Sequence, residues 1–349
     1  MSPAPTAEGE IIFDWNGIRP APKPTQAFDF DDESLRDGVQ SPSVTDPPLS
    51  DKLELLELME SIGVRSVDIG LPGASKRAFD DVVSQARHIQ AHRLRLEPNC
   101  AARTLLSDIK PVAEAVQKSG QPIALYTFIG SSPIRQYAES WDLDFIVRAS
   151  TEAIDFGVKE GLEVAYVTED TTRASPQNLD RLFRNAITHG ANRLVLCDTV
   201  GHATPDGTRA LVEWTRELIG STGAGVKIDW HGHNDRGLAV ANAIAALQGG
   251  VHRVHACGLG IGERVGNTSM DLLLLNLKLM GWIDYDLRNL VRYVRRISEA
   301  CQFPIPRNYP LSGADAFRTA TGVHAAAIVK AKARGDDWLA DRVYSGVPA

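Results

Sequence analysis

The sequence predicts an α/β protein: a (β/α)8 TIM barrel followed by a helical C-terminal subdomain. Three observations carry this reading. Short apolar runs recur at 27–30, 66–71, 94–96, 123–129, 162–167, 193–196, 226–230 and 251–256; a stretch with helical spacing follows each; and the beat stops near residue 280. A barrel and an open doubly wound sheet both alternate in this way. Residues 27–282 match the usual size of a barrel.

Taken in order, residues 1–26 are proline-rich and lack a sustained period, which reads as an N-terminal arm. Leu53, Leu56, Met59 and Ile62 share one helix face after the first run, as do Leu179, Leu182, Phe183 and Ile187 after the fifth. Ser50, Ser175 (before Pro176) and Thr204 (before Pro205) are N-cap signals. Residues 283–349 form the helical subdomain, with helices expected over 288–301 and 314–332 and Pro304, Pro306 and Pro310 between them.

Charged residues are 23% of the chain and hydrophobic ones 43%, the balance of a globular protein with a large core. The net charge of −7 argues against a nucleic-acid or anionic-membrane partner, both of which reward a basic surface. Cys100, Cys197, Cys257 and Cys301 are scattered and predict buried thiols in a reducing compartment. The chain opens without a basic region leading into an apolar one, and the apolar run at 272–275 is broken by Asn276 and Lys278. A cytoplasmic protein follows.

The sharpest chemical signal is His231-Gly232-His233-Asn234-Asp235 at the end of the seventh run. Residues i and i+2 of a strand face one side, so both imidazoles point together. Two such groups supply half of a metal shell, or they are a strand-end pair satisfied by hydrogen bonds. Arg36-Asp37-Gly38 follows the first run. In a closed barrel only the eighth strand separates it from the seventh, so Asp37 can complete the shell. The alternative for Arg36 and Asp37 is an ion pair in a turn. The loop Gly258-Leu259-Gly260-Ile261-Gly262-Glu263-Arg264-Val265-Gly266-Asn267 does not fit the dinucleotide fingerprint. Its glycines suit a backbone passing close to a ligand, and Asn267 can offer an amide oxygen. Glu263 and Arg264 can equally be a structural pair.

Taken together, Leu35-Arg36-Asp37-Gly38, Asp198-Thr199-Val200-Gly201, His231 to Asp235 and Gly262 to Asn267 resemble the DRE-TIM metallolyases, specifically the 2-isopropylmalate, homocitrate and citramalate synthase branch. The resemblance covers the chain from about residue 27 to its C-terminal end, and four motifs in this order are highly specific. It implies a Claisen condensation of acetyl-CoA with a 2-oxo acid, giving a 2-substituted malate and CoA. It also implies a divalent metal (zinc, manganese, magnesium or iron(II)) held by Asp37, His231, His233 and Asn267. Arg36 would then stabilise the growing alkoxide and Thr199 hold the substrate carboxylate, with Gln40 and Tyr126 also at the substrate. Glu169 matches the acid that gives the family name its third letter. Thr321-Gly322-Val323-His324 resembles the synthases' Ser-Gly-Ile-His motif, which implies that His324 is the base acting in the partner's barrel of a homodimer. Tyr344 is a weaker candidate for the same site. The chain ends about where the long synthases begin a regulatory domain, which implies no leucine feedback through one.

Departures cluster in the oxo-acid pocket and beside the base. Tyr126 stands where the synthases often have His, His202 where a Tyr is common and Asp68 where Glu is common; Ala325, Ala326 and Ala327 follow His324 where polar residues are expected. The rival readings are a lyase cleaving a 3-hydroxyacyl-CoA, an aldolase acting on a 2-oxo acid without CoA, and an inactive barrel used for binding. The lyase branch carries a cysteine in the loop after strand 8, where this chain reads Gly-Ile-Gly-Glu-Arg.

Overall fold

The computed structural model describes residues 11–347; the first ten residues of the predicted arm lie outside them. Eight parallel strands close a barrel in chain order. They are β1 (Asp29–Asp32), β2 (Ser66–Asp68), β3 (Glu97–Arg103), β4 (Ala124–Gly130), β5 (Val164–Glu169), β6 (Arg193–Asp198), β7 (Lys227–Gly232) and β8 (Arg253–Ala256). β8 returns to pair with β1, Asp31 opposite His255. Around the barrel run α1 (Leu49–Ser61), α2 (Lys76–His92), α3 (Leu106–Ser119), α4 (Pro133–Glu139), α5 (Leu143–Lys159), α6 (Pro176–Thr188), α7 (Pro205–Thr222), α8 (Ala239–Gly249) and α9 (Met270–Leu279). α10 (Leu290–Ala300), α11 (Gly322–Ala333) and α12 (Asp337–Arg342) follow.

The two-residue period of the strands sorts their side chains. Phe30, Val67, Leu125, Tyr166, Leu196, Trp230 and Val254 face the helices and form the main core. Tyr126, Ala165, Val195 and Cys197 form a second, smaller cluster inside the barrel. Ser175 and Thr204 cap α6 and α7 as predicted, accepting from Asn178 N at 3.3 Å and Gly207 N at 3.2 Å. Ser50 does not cap α1. Pro48 takes the cap position and Ser50 sits in the first turn, its hydroxyl on Asp51. The four cysteines are buried and free. No helix among the described residues is long and apolar enough to cross a membrane.

Two expectations shift. The third strand starts at Glu97, after the apolar residues 94–96. It carries Pro98, which a central strand normally excludes, but β3–β4 pairing begins only at Asn99, so the missing N–H falls outside that ladder. The helix expected over 314–332 begins at Gly322. Residues 307–318 fold into turns instead, with Asp315 N on Arg307 O and Arg318 N on Asp315 O, and Thr321 is extended.

The segment after residue 283 starts as part of the barrel. Tyr293, Val294 and Ile297 of α10 are wholly buried in the main core, and Arg296 pairs with Asp51 at 2.6 Å and Glu54 at 2.7 Å on α1. The Tyr293 hydroxyl bonds the Asp32 carboxylate and lies 3.2 Å from Ser34 Oγ. Burial pushes Asp32 up to about 6, so these bonds matter to the ionised form. Removing the hydroxyl in Tyr293→Phe leaves that carboxylate short of a partner. It is expected to lower unfolding free energy by about 1–3 kcal/mol, measured by urea denaturation; an unchanged midpoint would show the bond to be dispensable.

Candidate metal centre at the barrel mouth

The C-terminal ends of the strands converge on a cavity of about 320 Å3. After β1 the chain tightens into a turn, with Arg36 N and Gly38 N both on Glu33 O, and Glu33, Arg36 and Asp37 all line the cavity. His231 in β7 and His233 beyond it enter from the neighbouring side. A bridge between His233 and Asn267, with Asn234 N on Gly266 O at 2.9 Å, stitches the glycine-rich loop to the end of β7. That brings Asn267 to the same spot. Gly262 has φ of 146°, where a Cβ would collide with the Asn267 amide, so glycine is required there.

The predicted ligands are together. His231 Nε2 and His233 Nε2 stand 3.1 Å apart, and Asp37 Oδ2 is 3.8 Å from His233 Nε2. Two nitrogens bound at 2.0–2.1 Å to one ion lie about 3 Å apart, so this pair already has the spacing of a shared metal. Asn267 donates Nδ2 to Asp37 Oδ2 at 2.8 Å and to Ile261 O at 3.0 Å, while its Oδ1 is buried with no hydrogen-bond partner. An orphaned amide oxygen beside two imidazoles and a carboxylate is what a cation would satisfy. The residues present therefore fit a divalent ion with mixed nitrogen and oxygen donors.

Glu33 belongs to the site as well, though no spacing in the sequence singles it out. Its carboxylate accepts from His231 Nδ1 at 2.6 Å, from Arg36 Nη2 at 2.9 Å and from His255 Nδ1 at 3.0 Å. Burial opposes its charge, but His231, His255 and Arg36 hold it well below the usual carboxylate range. Glu33 thereby fixes Nδ1 of His231 as the donor and leaves Nε2 for a metal. Burial alone would lower His231; Glu33 keeps it above the usual value. His233 lacks such a partner, and burial together with His231 lowers it to about 4, leaving it neutral. The other side of His255 faces Asp229, with Nε2 and Oδ2 3.1 Å apart.

Arg36 is clamped by Glu33, by Asp37 at 2.7 Å and by Asp68 at 2.6 Å. Asp68, flagged in the sequence only as a departure, is thus the acid that orients the guanidinium. Burial pushes it up to about 7, against the pull of Arg36. Gln40, Tyr126, Glu169 and Thr199 all line the cavity as well. Glu169 sits 3.5 Å from Arg135 of α4, and burial raises its carboxyl. The Thr199 hydroxyl accepts from Asp170 N at 2.8 Å. Tyr126 turns its hydroxyl down the barrel toward Asp229 and Arg253. Arg264 makes a two-pronged pair with Asp235, at 2.8 and 3.0 Å, and also meets Glu263, which lines the cavity. His324 does not line it; within one chain its ring stacks on Tyr344 at 3.9 Å.

Among the described residues two further clusters have metal-like donors. Glu33, His231 and His255 form one, sharing His231 with the set above, and Glu57, His88 and His92 form another between α1 and α2 on the outer surface. A larger cavity, about 700 Å3, opens at the opposite end of the barrel, where the strands begin. It contains none of the predicted site residues except Tyr126.

Residues 27–300 match the HMGL-like family. The chain belongs to the HMGL-like family. The resemblance read from the four motifs is thereby borne out. This HMGL-like chain is 31% identical over 302 residues to "Homocitrate synthase AksA" of Methanopyrus kandleri, covering 86% of this chain and 72% of that one. It is 31% identical over 331 residues to a 2-isopropylmalate synthase of Chromobacterium violaceum (90% and 63% covered) and 33% identical over 308 residues to one of Caulobacter vibrioides (86% and 57%). The chain spans less than two thirds of either 2-isopropylmalate synthase. Among solved structures, the HMG-CoA lyase of Bacillus subtilis superposes with a TM-score of 0.67 at 18% identity, covering 82% of this chain and 97% of that one. The HMG-CoA lyase of Acinetobacter baumannii, in complex with coenzyme A and 3-methylmalate, gives 0.65 at 19% (78% and 91%). These likenesses show the shared barrel.

Replacing Glu33 by Gln removes the charge that orients His231 while conserving shape. Metal affinity, measured by chelator competition in a His88→Ala background to silence the surface cluster, is expected to fall about 10–100-fold. Wild-type affinity in this variant would rule out the orienting role.

Proposed function

We propose that this HMGL-like protein is a metal-dependent acyltransferase condensing the acetyl group of acetyl-CoA with a 2-oxo acid. The observation that carries the reading is the convergence of Asp37, His231 and His233 with Arg36 in one cavity, backed by Asn267, which bonds Asp37 and keeps a buried oxygen without a partner. The synthase names of its relatives support it. In the reaction the acetyl methyl group loses a proton, and the carbon left behind bonds to the keto carbon. The keto oxygen becomes an alkoxide and takes up a proton. Water then cleaves the thioester, giving a 2-substituted malate and the free thiol of CoA.

A bound divalent ion supplies Lewis acidity and a template for the carboxylate and keto oxygens of the oxo acid. The protein supplies the rest. Arg36, immobilised by three carboxylates, presents a fixed positive charge where the alkoxide grows, the kind of preorganised charge that stabilises a transition state most. Thr199 and Gln40 orient the substrate carboxylate, and Tyr126 floors the pocket. Glu169, whose carboxyl burial raises, lines the opposite side of the cavity as a group for proton transfer. His324 of the partner subunit removes the acetyl proton, which makes the working unit a homodimer. A cytoplasmic location belongs to the same proposal. The lyase reading is disfavoured by Cys257: it is wholly buried, burial raises its thiol far above the usual value, and the Asn267 amide lies on its sulfur.

Incubation with acetyl-CoA and a panel of 2-oxo acids is expected to release thiol only when metal is present, and chelator should abolish it. No thiol from any oxo acid under metal-replete conditions would refute the synthase. His324→Ala is expected to cut turnover about 10²–10⁴-fold with metal content retained, whereas full turnover would remove it from the reaction.

A further inference from the structure

The barrel mouth is divided in two. Strands β1, β2, β7 and β8 and the turns after them bring Glu33, Arg36, Asp37, Asp68, His231 and His233 to one half. Strands β3 to β6 bring Ala101, Phe128, Val167, Val195 and Cys197 to the other, with Glu169 and Thr199 at its upper edge, at and beyond the ends of β5 and β6. Tyr126 joins this second half through its ring, because its hydroxyl is committed below to Asp229 at 3.2 Å and Arg253 at 3.3 Å. Ala165, Val195 and Cys197 pack with that ring as the cluster inside the barrel.

We infer that the oxo acid taken by this site carries a neutral, apolar substituent larger than methyl, and that Phe128, Val167 and Val195 select it. The inference rests on the proposed condensation. An oxo acid anchored by its carboxylate and keto oxygens on the polar half projects its substituent toward the apolar wall. A second carboxylate there would find no cation that is not already matched by carboxylates. The arginines lining the cavity are Arg36 and Arg135. Arg36 is matched by three acids, and Arg135 is paired with Glu139 at 2.8 Å and Glu169 at 3.5 Å. Glu169 and Glu263 face the same space and would repel a dianion. A carboxylate buried without a partner is strongly disfavoured. A bare methyl group, in turn, would leave the wall uncovered, and apolar pockets discriminate about tenfold or more per methylene. The homocitrate and 2-isopropylmalate synthases among the relatives differ in this respect, and the cavity favours the apolar alternative.

The test compares pyruvate, 2-oxoisovalerate, 4-methyl-2-oxopentanoate and 2-oxoglutarate with the metal-loaded full chain. Thiol release gives kcat/KM, and calorimetric titration gives binding that does not depend on turnover. A branched acid is expected to exceed pyruvate by about tenfold or more and 2-oxoglutarate by a wider margin, in both readouts. Phe128→Ala is expected to narrow the preference for the branched acids over pyruvate, read as the ratio of their kcat/KM values, whereas an unchanged ratio would remove Phe128 from the selecting wall. Preference for 2-oxoglutarate or pyruvate, or equal use of all four, overturns the inference while leaving the condensation standing. If no acid releases thiol, the condensation fails, and the order of binding still decides between an apolar and an acidic ligand; absence of binding by every acid also overturns it.

Discussion

The carboxylate of Glu33 is the contact on which the mouth of this barrel depends. It is buried, and it joins three groups that would otherwise have no common reference: the imidazole of His231, the guanidinium of Arg36 and the ring of His255. A buried charge is tolerable only when paired and hydrogen-bonded on every side, and the converse follows: each partner is immobilised by the need to satisfy it. The imidazole of His231 and the guanidinium of Arg36 therefore share one residue among their partners, with Asp37 and Asp68 completing the clamp on Arg36. Orientation is inherited from the β1 turn rather than from the long side chains themselves.

That network does not stop at the mouth. Burial would lower His255, but Glu33 and Asp229 overcome it and hold the ring at about 10, so it bridges them as a cation. Asp229 in turn meets Arg193 and Tyr126, and Arg253 reaches Asp29 and Glu97 at the opposite rim. The barrel interior is thus a column of matched charges with a small apolar patch beside it, unlike the layered aliphatic filling usual for this fold. Such matching contributes little net stability but penalises any rearrangement that strands one member. Rigidity at the site is the consequence.

Much of this was legible in the sequence. The alternating runs and the span of residues 27–282 together predicted the barrel, and the period of two in β7 put His231 and His233 on one side, where the structure brings them together with Asp37 and Asn267. Glu33 was not legible as an orienting group, since its role depends on contacts with residues some two hundred positions away on β7 and β8. His255 was hidden for the same reason: a single histidine in an apolar run carries no spacing signal. β3 was misplaced because a strand whose inward positions are Asn99 and Ala101 and which opens on Glu97 and Pro98 lacks an apolar signature. α11 begins late because local turns around Asp315 compete with the helix. His324 does not line the barrel-mouth cavity of its own chain, so the role proposed for it turns on a second subunit that a monomer's sequence pattern cannot place.

The account stands on one ion position. Diffraction from crystals grown with a divalent transition metal, recorded at its absorption edge, would locate that ion by its anomalous signal. The predicted result is a peak within bonding distance of Asp37, His231 Nε2 and His233 Nε2, with the Asn267 oxygen turned toward it and Glu33 still on His231 Nδ1. A peak between Glu33, His231 and His255, or none at the barrel mouth, would contradict it.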